Sequence, residues 1–141
     1  METKEKTDIS IETLIHSPTD KVWKYWTSPE HIIHWNNASE DWCTPSATND
    51  LKVGGKFFFK MEAKDGSFGF EFEGVYSDVK EKKLIAYKLA DGRQVAVHFS
   101  SEGENTKIVE TFEAEEINTI ALQREGWQAI LDNFKKYCEL N

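Results

Sequence analysis

The last quarter of the chain, Glu115 to Asn141, constrains the fold most. It reads as one long amphipathic helix after a chain otherwise rich in strands. Apolar residues at Ile120, Trp127, Ile130, Leu131, Phe134 and Cys138 approximate the 3.6-residue repeat of a helix with one buried face. A single helix of that length needs a broad apolar surface to cover, and the strands before it supply one. Gly126 sits inside the helix beside Trp127. Glycine in a helix interior costs about 1 kcal/mol relative to alanine. One reason for it is close approach of something to the backbone, such as a sheet, a ligand or an aromatic ring. A helix laid across a curved sheet can enclose a pocket, so function is sought between the two.

The strands are read from period-two alternation. Ile9, Ile11 and Ile15 oppose Asp8, Ser10 and Glu12, the pattern of a half-buried strand. Ser17-Pro18-Thr19-Asp20 marks a turn and helix start, with Val22, Trp23 and Trp26 following. Ser28-Pro29-Glu30 opens a second short helix carrying Ile32, Ile33 and Trp35 and ending at Asn36-Asn37. Glu40 to Ala47 is weakly patterned and suits an edge strand. Gly54-Gly55 signals a turn. Phe57, Phe59 and Met61 then alternate with polar neighbours, as do Phe68, Phe70 and Phe72 beyond the Asp65-Gly66 hairpin signal. Gly74 is a candidate bulge. Leu84 to Leu89 follows the Lys80–Lys83 turn. Asp91-Gly92 then leads into the Val95/Val97/Phe99 strand, and Thr106 to Phe112 is the last. The order is one strand, two helices, about six strands and a helix, which predicts an α+β fold: one antiparallel sheet with helices on one face.

Composition narrows the function classes. A chain of 141 residues fits one domain, 1–141, able to bury its own core. The net charge of −8 repels phosphate backbones and argues against nucleic-acid binding. The polar start METKEKTDIS has no apolar core of a secretory signal, and no run of about 18 apolar residues offers a membrane span. Two isolated cysteines, Cys43 and Cys138, fit a reducing compartment, so a cytoplasmic location is expected.

Several short motifs in this order resemble the START-like helix-grip superfamily. They are Ser17-Pro18-Thr19-Asp20-Lys21-Val22-Trp23, the Thr27-Ser28-Pro29-Glu30-His31-Ile32 segment running to Trp35, and Gly54-Gly55 opening a strand. Asp65-Gly66 followed by Gly74 and Val79, and Gly126-Trp127, complete the set. The nearest branch is similar to the activator of heat-shock-protein-90 ATPase family. The resemblance implies a curved seven-stranded antiparallel sheet gripping the C-terminal helix, with two short helices between the first and second strands. A cavity for lipids, sterols or polyketide-like aromatics often lies between sheet and helix. Members include binders, cyclases and co-chaperones, so fold alone does not decide function. The chain departs from many relatives in having no proline in the turn before Leu84. Co-chaperones of the related class carry an additional N-terminal domain, which lowers the expectation of a co-chaperone here.

Glu110 is the sharpest single residue. Period two puts it on one face with Ile108 and Phe112. If that face is inward, the carboxyl is desolvated, its pKa rises, and it can hydrogen-bond a ligand or act as an acid or base. A slip of one residue would instead place it in water. The rings of Trp35, Phe57, Phe59, Phe70, Phe72, Tyr87, Phe99 and Trp127, with Leu131, either line a pocket or fill a core, since both use the same chemistry. Tyr87 would orient a ligand's polar end together with Glu110. His31 and His34 are three apart, but no third ligand accompanies them, so no metal and no cofactor are expected. His16 and His98 read as structural or exposed. Cys43 has no activating neighbour, and no nucleophile elbow, P-loop or dinucleotide fingerprint occurs. The expected partner is a small apolar or aromatic ligand. The alternatives are a chaperone partner whose ATPase is stimulated and, last, a cyclase- or hydrolase-like enzyme using Glu110.

Overall fold

The computed structural model describes residues 7–141. The polar run at 1–6, part of the segment read above as lacking a secretory signal, lies outside the described residues. The elements are β1 (Asp8–Ile15), α1 (Thr19–Thr27), α2 (Pro29–Trp35), β2 (Trp42–Asn49), β3 (Lys56–Ala63), β4 (Gly69–Lys80), β5 (Leu84–Leu89), β6 (Gln94–Glu102), β7 (Asn105–Glu113) and α3 (Ile120–Leu140). The seven strands form one antiparallel sheet in the order β1-β7-β6-β5-β4-β3-β2. Alternation dictates which side chains turn inward. Ile9, Ile11 and Ile15 of β1, Val95, Val97 and Phe99 of β6, and Ile108, Glu110 and Phe112 of β7 are all buried. The three helices pack on that inner face, where Leu131, Phe134 and Cys138 of α3 meet the strand residues in the core.

Two features of the sheet shape its interior. β5 pairs with β4 only from Gly74 to Lys80. Residues 69–73 of β4, with their partners on β3, therefore project past the β5–β6 hairpin. In contrast, α3 runs along β1 at the opposite edge. Arg124 Nη1 donates to the Ser10 carbonyl and Gln128 Nε2 to the Glu12 carbonyl, each at 3.3 Å. The His16 amide donates to Glu139 Oε2 at 2.9 Å. Four residues of helix advance about 6 Å and two of strand about 6.8 Å, so the helix steps in time with the outward carbonyls. These bonds close an edge that would otherwise invite another strand. The far edge, β2, is interrupted by an irregularity between Cys43 and Ser46, where Pro45 removes a donor.

Four local expectations differ from the structure. The last helix begins at Ile120, not Glu115: Thr119 Oγ1 accepts the Leu122 amide at 3.1 Å and caps it. Ile120 itself is exposed, so it does not belong to the buried stripe. Gly126 is not closely approached, because a Cβ built there meets nothing within 4 Å. Gly74 is not at the bulge; the register shift falls between Tyr76 and Asp78. Close approach explains Gly74 instead, since an added Cβ would lie 2.7 Å from the Lys88 carbonyl oxygen and 2.8 Å from the Phe57 ring. The turn before β5 closes without proline through Lys82, whose φ is +62°.

Candidate ligand cavity

Between α3 and the sheet lies a cavity of about 310 Å³. Its walls come from every layer of the fold. Phe57, Phe59 and Met61 of β3 and Phe70, Phe72 and Tyr76 of β4 form one side. Gln123, Trp127, Ile130 and Leu131 of α3 form the other. Ile85 and Tyr87 of β5 and Glu110 of β7 form the floor, and Trp26, Trp35 and Asn36 close one end. Arg93, Glu115 and Asn118 complete the lining.

The aromatic rings support one another. Trp127 stacks on Phe112, with centroids 3.9 Å apart and planes at 11°, and meets Phe72 edge-on at 6.0 Å. Phe57 contacts Phe59, Phe72, Tyr76 and Tyr87. Such offset and edge-to-face pairs fix ring positions beyond what area burial alone would do. The side chain of Phe70 is 46% exposed and packs with Trp42 at the outer lip.

Polar groups around this interior divide into the satisfied and the unsatisfied. Tyr76 donates its hydroxyl to Asn49 Oδ1. Arg93 Nε donates to Asp91 Oδ2 at 2.8 Å. Gln123 holds the 115–118 segment: its Oε1 accepts the Glu115 amide at 2.8 Å, and its Nε2 donates to the carbonyls of Glu115 and Asn118. Glu110 differs. It is 5% exposed and lies between Ile11 of β1 and Val97 of β6. No hydrogen bond or ion pair is made by its carboxyl among the described residues. No fully occluded side-chain oxygen or nitrogen in those residues lacks a partner. The partnerless Glu110 carboxyl therefore opens on the cavity. Burial raises its pKa from 4.5 to about 8, so it is protonated at neutral pH. Burial, and then the nearby Glu110 carboxyl, push the Tyr87 hydroxyl well above its ordinary value.

Of the residues singled out from the sequence, Trp35, Phe57, Phe59, Phe70, Phe72, Tyr87, Glu110, Trp127 and Leu131 line this cavity. Phe99 does not. It points inward as its alternation requires, but α1 fills the space above it, and its ring packs edge-on against Trp23 at 5.2 Å and Trp26 at 5.8 Å. Sequence reasoning missed Gln123, Arg93, Tyr76 and Ile130. Ile130 and Gln123 sit three after and four before Trp127, so helical spacing held the signal for both. His31 Nδ1 bonds the Tyr137 hydroxyl at 2.7 Å, and the ring stacks on Tyr25. Its pKa is lowered, chiefly by burial. His16, His34 and His98 are exposed. Among the described residues no group of three His, Cys, Asp or Glu side chains could hold a metal ion. No helix among them is long and apolar enough to cross a membrane.

A curved antiparallel sheet closed on one long helix, with a lined cavity between them, defines the START-like helix-grip class. Residues 16–139 match the family described as Activator of Hsp90 ATPase homolog 1-like protein, and the chain belongs to that family. An AHSA1-like protein from Aeromonas hydrophila is 46% identical, with 95% of this chain and 93% of that one covered and a TM-score of 0.90. A protein from Cytophaga hutchinsonii is 50% identical over 95% of this chain and 93% of its own, with a TM-score of 0.82. The Aha1 dimer from Colwellia psychrerythraea shares the fold at 15% identity, covering 95% of this chain and 97% of that one with a TM-score of 0.76. No curated protein matched.

Proposed function

We propose that this protein binds a small hydrophobic or aromatic molecule in the cavity between α3 and the sheet. The observation that carries the reading is an aromatic-walled space of about 310 Å³ onto which one unpartnered, buried carboxyl opens. A space filled by its own side chains would have no use for that carboxyl, since burying a polar group without a partner costs stability. The volume is at the lower end of the range for small-molecule sites, and a few placed polar groups in an apolar wall are their usual composition. Trp127 and the Phe57, Phe59 and Phe72 rings supply burial, while Glu110 and Tyr87 fix the polar end of the ligand.

Native mass spectrometry of protein purified from cells, followed by a thermal-shift screen with fatty acids, sterols and planar aromatics, tests the reading. A retained mass, or stabilisation by one chemical class that is lost in Trp127→Ala, supports it. No bound mass and no shift with any class would overturn it. The family description favours a second reading, stimulation of the heat-shock-protein-90 ATPase through outer surfaces. That activity would persist in cavity variants and weaken with added salt.

A further inference from the structure

The ionisable groups of the cavity indicate the charge of what enters it. We propose that the ligand is an organic cation, a protonated amine carried on an apolar or aromatic body, whose ammonium pairs with the Glu110 carboxylate. This inference rests on the reading that the cavity takes a ligand at all.

Three observations converge. First, Glu110 is an ionisable cavity group with no partner among the described residues. The cation of the lining, Arg93, is already neutralised by Asp91 at 2.8 Å. Glu115, the other acid, is engaged through Oε1 with Asn118. An entering anion therefore finds only a guanidinium already paired with a carboxylate, and a cation finds an unpaired carboxyl. Second, the walls are largely aromatic, and ring faces attract a cation. Third, the protein carries a net charge of −8, a field that gathers cations and turns anions away. A neutral ligand that only needed a hydrogen-bond donor would be served by the Tyr87 hydroxyl, without a buried acid.

Proton balance decides the pH behaviour. The groups facing this space are Glu110 of β7, Tyr87 of β5, Tyr76 of β4, Arg93 of the β5–β6 turn and Glu115 of the loop before α3; the α3 residues on it are uncharged. Both tyrosines are held neutral by burial. In the empty cavity Glu110 keeps its proton up to about pH 8. When the ammonium enters, the carboxyl gives that proton to solvent and its oxygens accept the N–H donors. Binding well below pH 8 releases close to one proton per ligand, and affinity there rises about tenfold per pH unit, levelling off near 8. A neutral ligand of the same shape needs no such release.

Calorimetric titration with naphthylethylamine, naphthylethanol and naphthylacetate at pH 6, 7 and 8 tests the inference. The expected result is amine binding at least tenfold tighter than alcohol at pH 8, with the advantage shrinking about tenfold per unit toward pH 6. Naphthylacetate should bind weakest. Repeating the pH 7 titration in buffers of different ionisation enthalpy should show about 0.9 proton released per amine. In Glu110→Gln the preference for the amine should vanish while the alcohol still binds. If at pH 8 the alcohol or the acid binds as tightly as the amine, or at pH 7 no proton is released, this inference fails and the ligand-binding reading stands. If none of the three binds the native protein, this inference fails, and the ligand-binding reading is decided by the mass and thermal-shift screen. The proton count and the pH series on the native protein need no variant, so a poorly folding Glu110→Gln would not protect the idea.

Discussion

The indole of Trp127 lies flat on the ring of Phe112, centroids 3.9 Å apart, and its edge meets Phe72. One side chain of α3 thus touches β7 directly and β4 across the cavity. Trp127 holds the helix against one side of the curved sheet and at the same time forms the cavity wall facing the other. Truncation to alanine removes a stack, an edge contact and much of that wall. Because the site already borders empty space, the loss should fall at or below the usual range for a buried tryptophan, about 2–4 kcal/mol. Urea unfolding would measure it. Trp127→Phe should recover part of the stability, and an alanine variant as stable as the parent would show that the stack is not holding α3.

Glu110 gives the fold a pH dependence of unusual sign. Its folded pKa is about 8, against an ordinary value of 4.5 in the unfolded chain. Between those values the folded state binds the proton and the unfolded state does not. Stability therefore falls as pH rises through that window, by up to about 1.4 kcal/mol per unit from this one group. Glu110→Gln keeps the shape and removes the titration. Measured against the native protein, it should be progressively more stable from pH 5 to pH 8. Parallel stability curves for the two proteins would show that Glu110 is not desolvated.

Two glycines should respond in opposite ways. Gly126→Ala adds a methyl group into open space within a helix, and should raise stability by up to about 1 kcal/mol. Gly74→Ala drives a methyl group against the Lys88 carbonyl and the Phe57 ring, and should cost about 1–3 kcal/mol. Thermal melts of both would decide it; a destabilised Gly126→Ala would restore the expectation of a close neighbour there.

Strand positions were legible because alternation is a property of backbone geometry. The inward direction of Glu110 followed from its place between Ile108 and Phe112, and the structure pairs it with Ile11 and Val97 on that face. Phe99 shows the limit of the same rule. It alternates as regularly as Val97, but alternation says only that a side chain points inward. Whether it meets a cavity depends on α1, which brings Trp23 and Trp26 over that part of the sheet. The helix start was set too early, at Glu115, because the polar residues before Ile120 carry no apolar period to bound it, while the decisive signal was the cap at Thr119. Edge strand β2 was weakly patterned because Pro45 and a register irregularity interrupt it. Gln123 escaped notice because a polar residue on a helix reads as solvent-facing, although its spacing from Trp127 puts it on the buried side.

That residue carries the last prediction. Gln123 is buried and makes three bonds to the backbone of the loop before α3, two through Nε2 and one through Oε1. It fixes Glu115 and Asn118, which line the cavity. Gln123→Met preserves length and helix propensity but leaves an amide and two carbonyls without partners. The cost should be about 1–3 kcal/mol, unless water reaches the freed groups. Native-state hydrogen exchange separates loss of the latch from general weakening. The Glu115 amide should exchange faster by a larger factor than amides in the centre of β7, because opening of the loop does not require the sheet to open. Equal acceleration at both places would mean that Gln123 supports the whole fold and does not act as a latch on the loop.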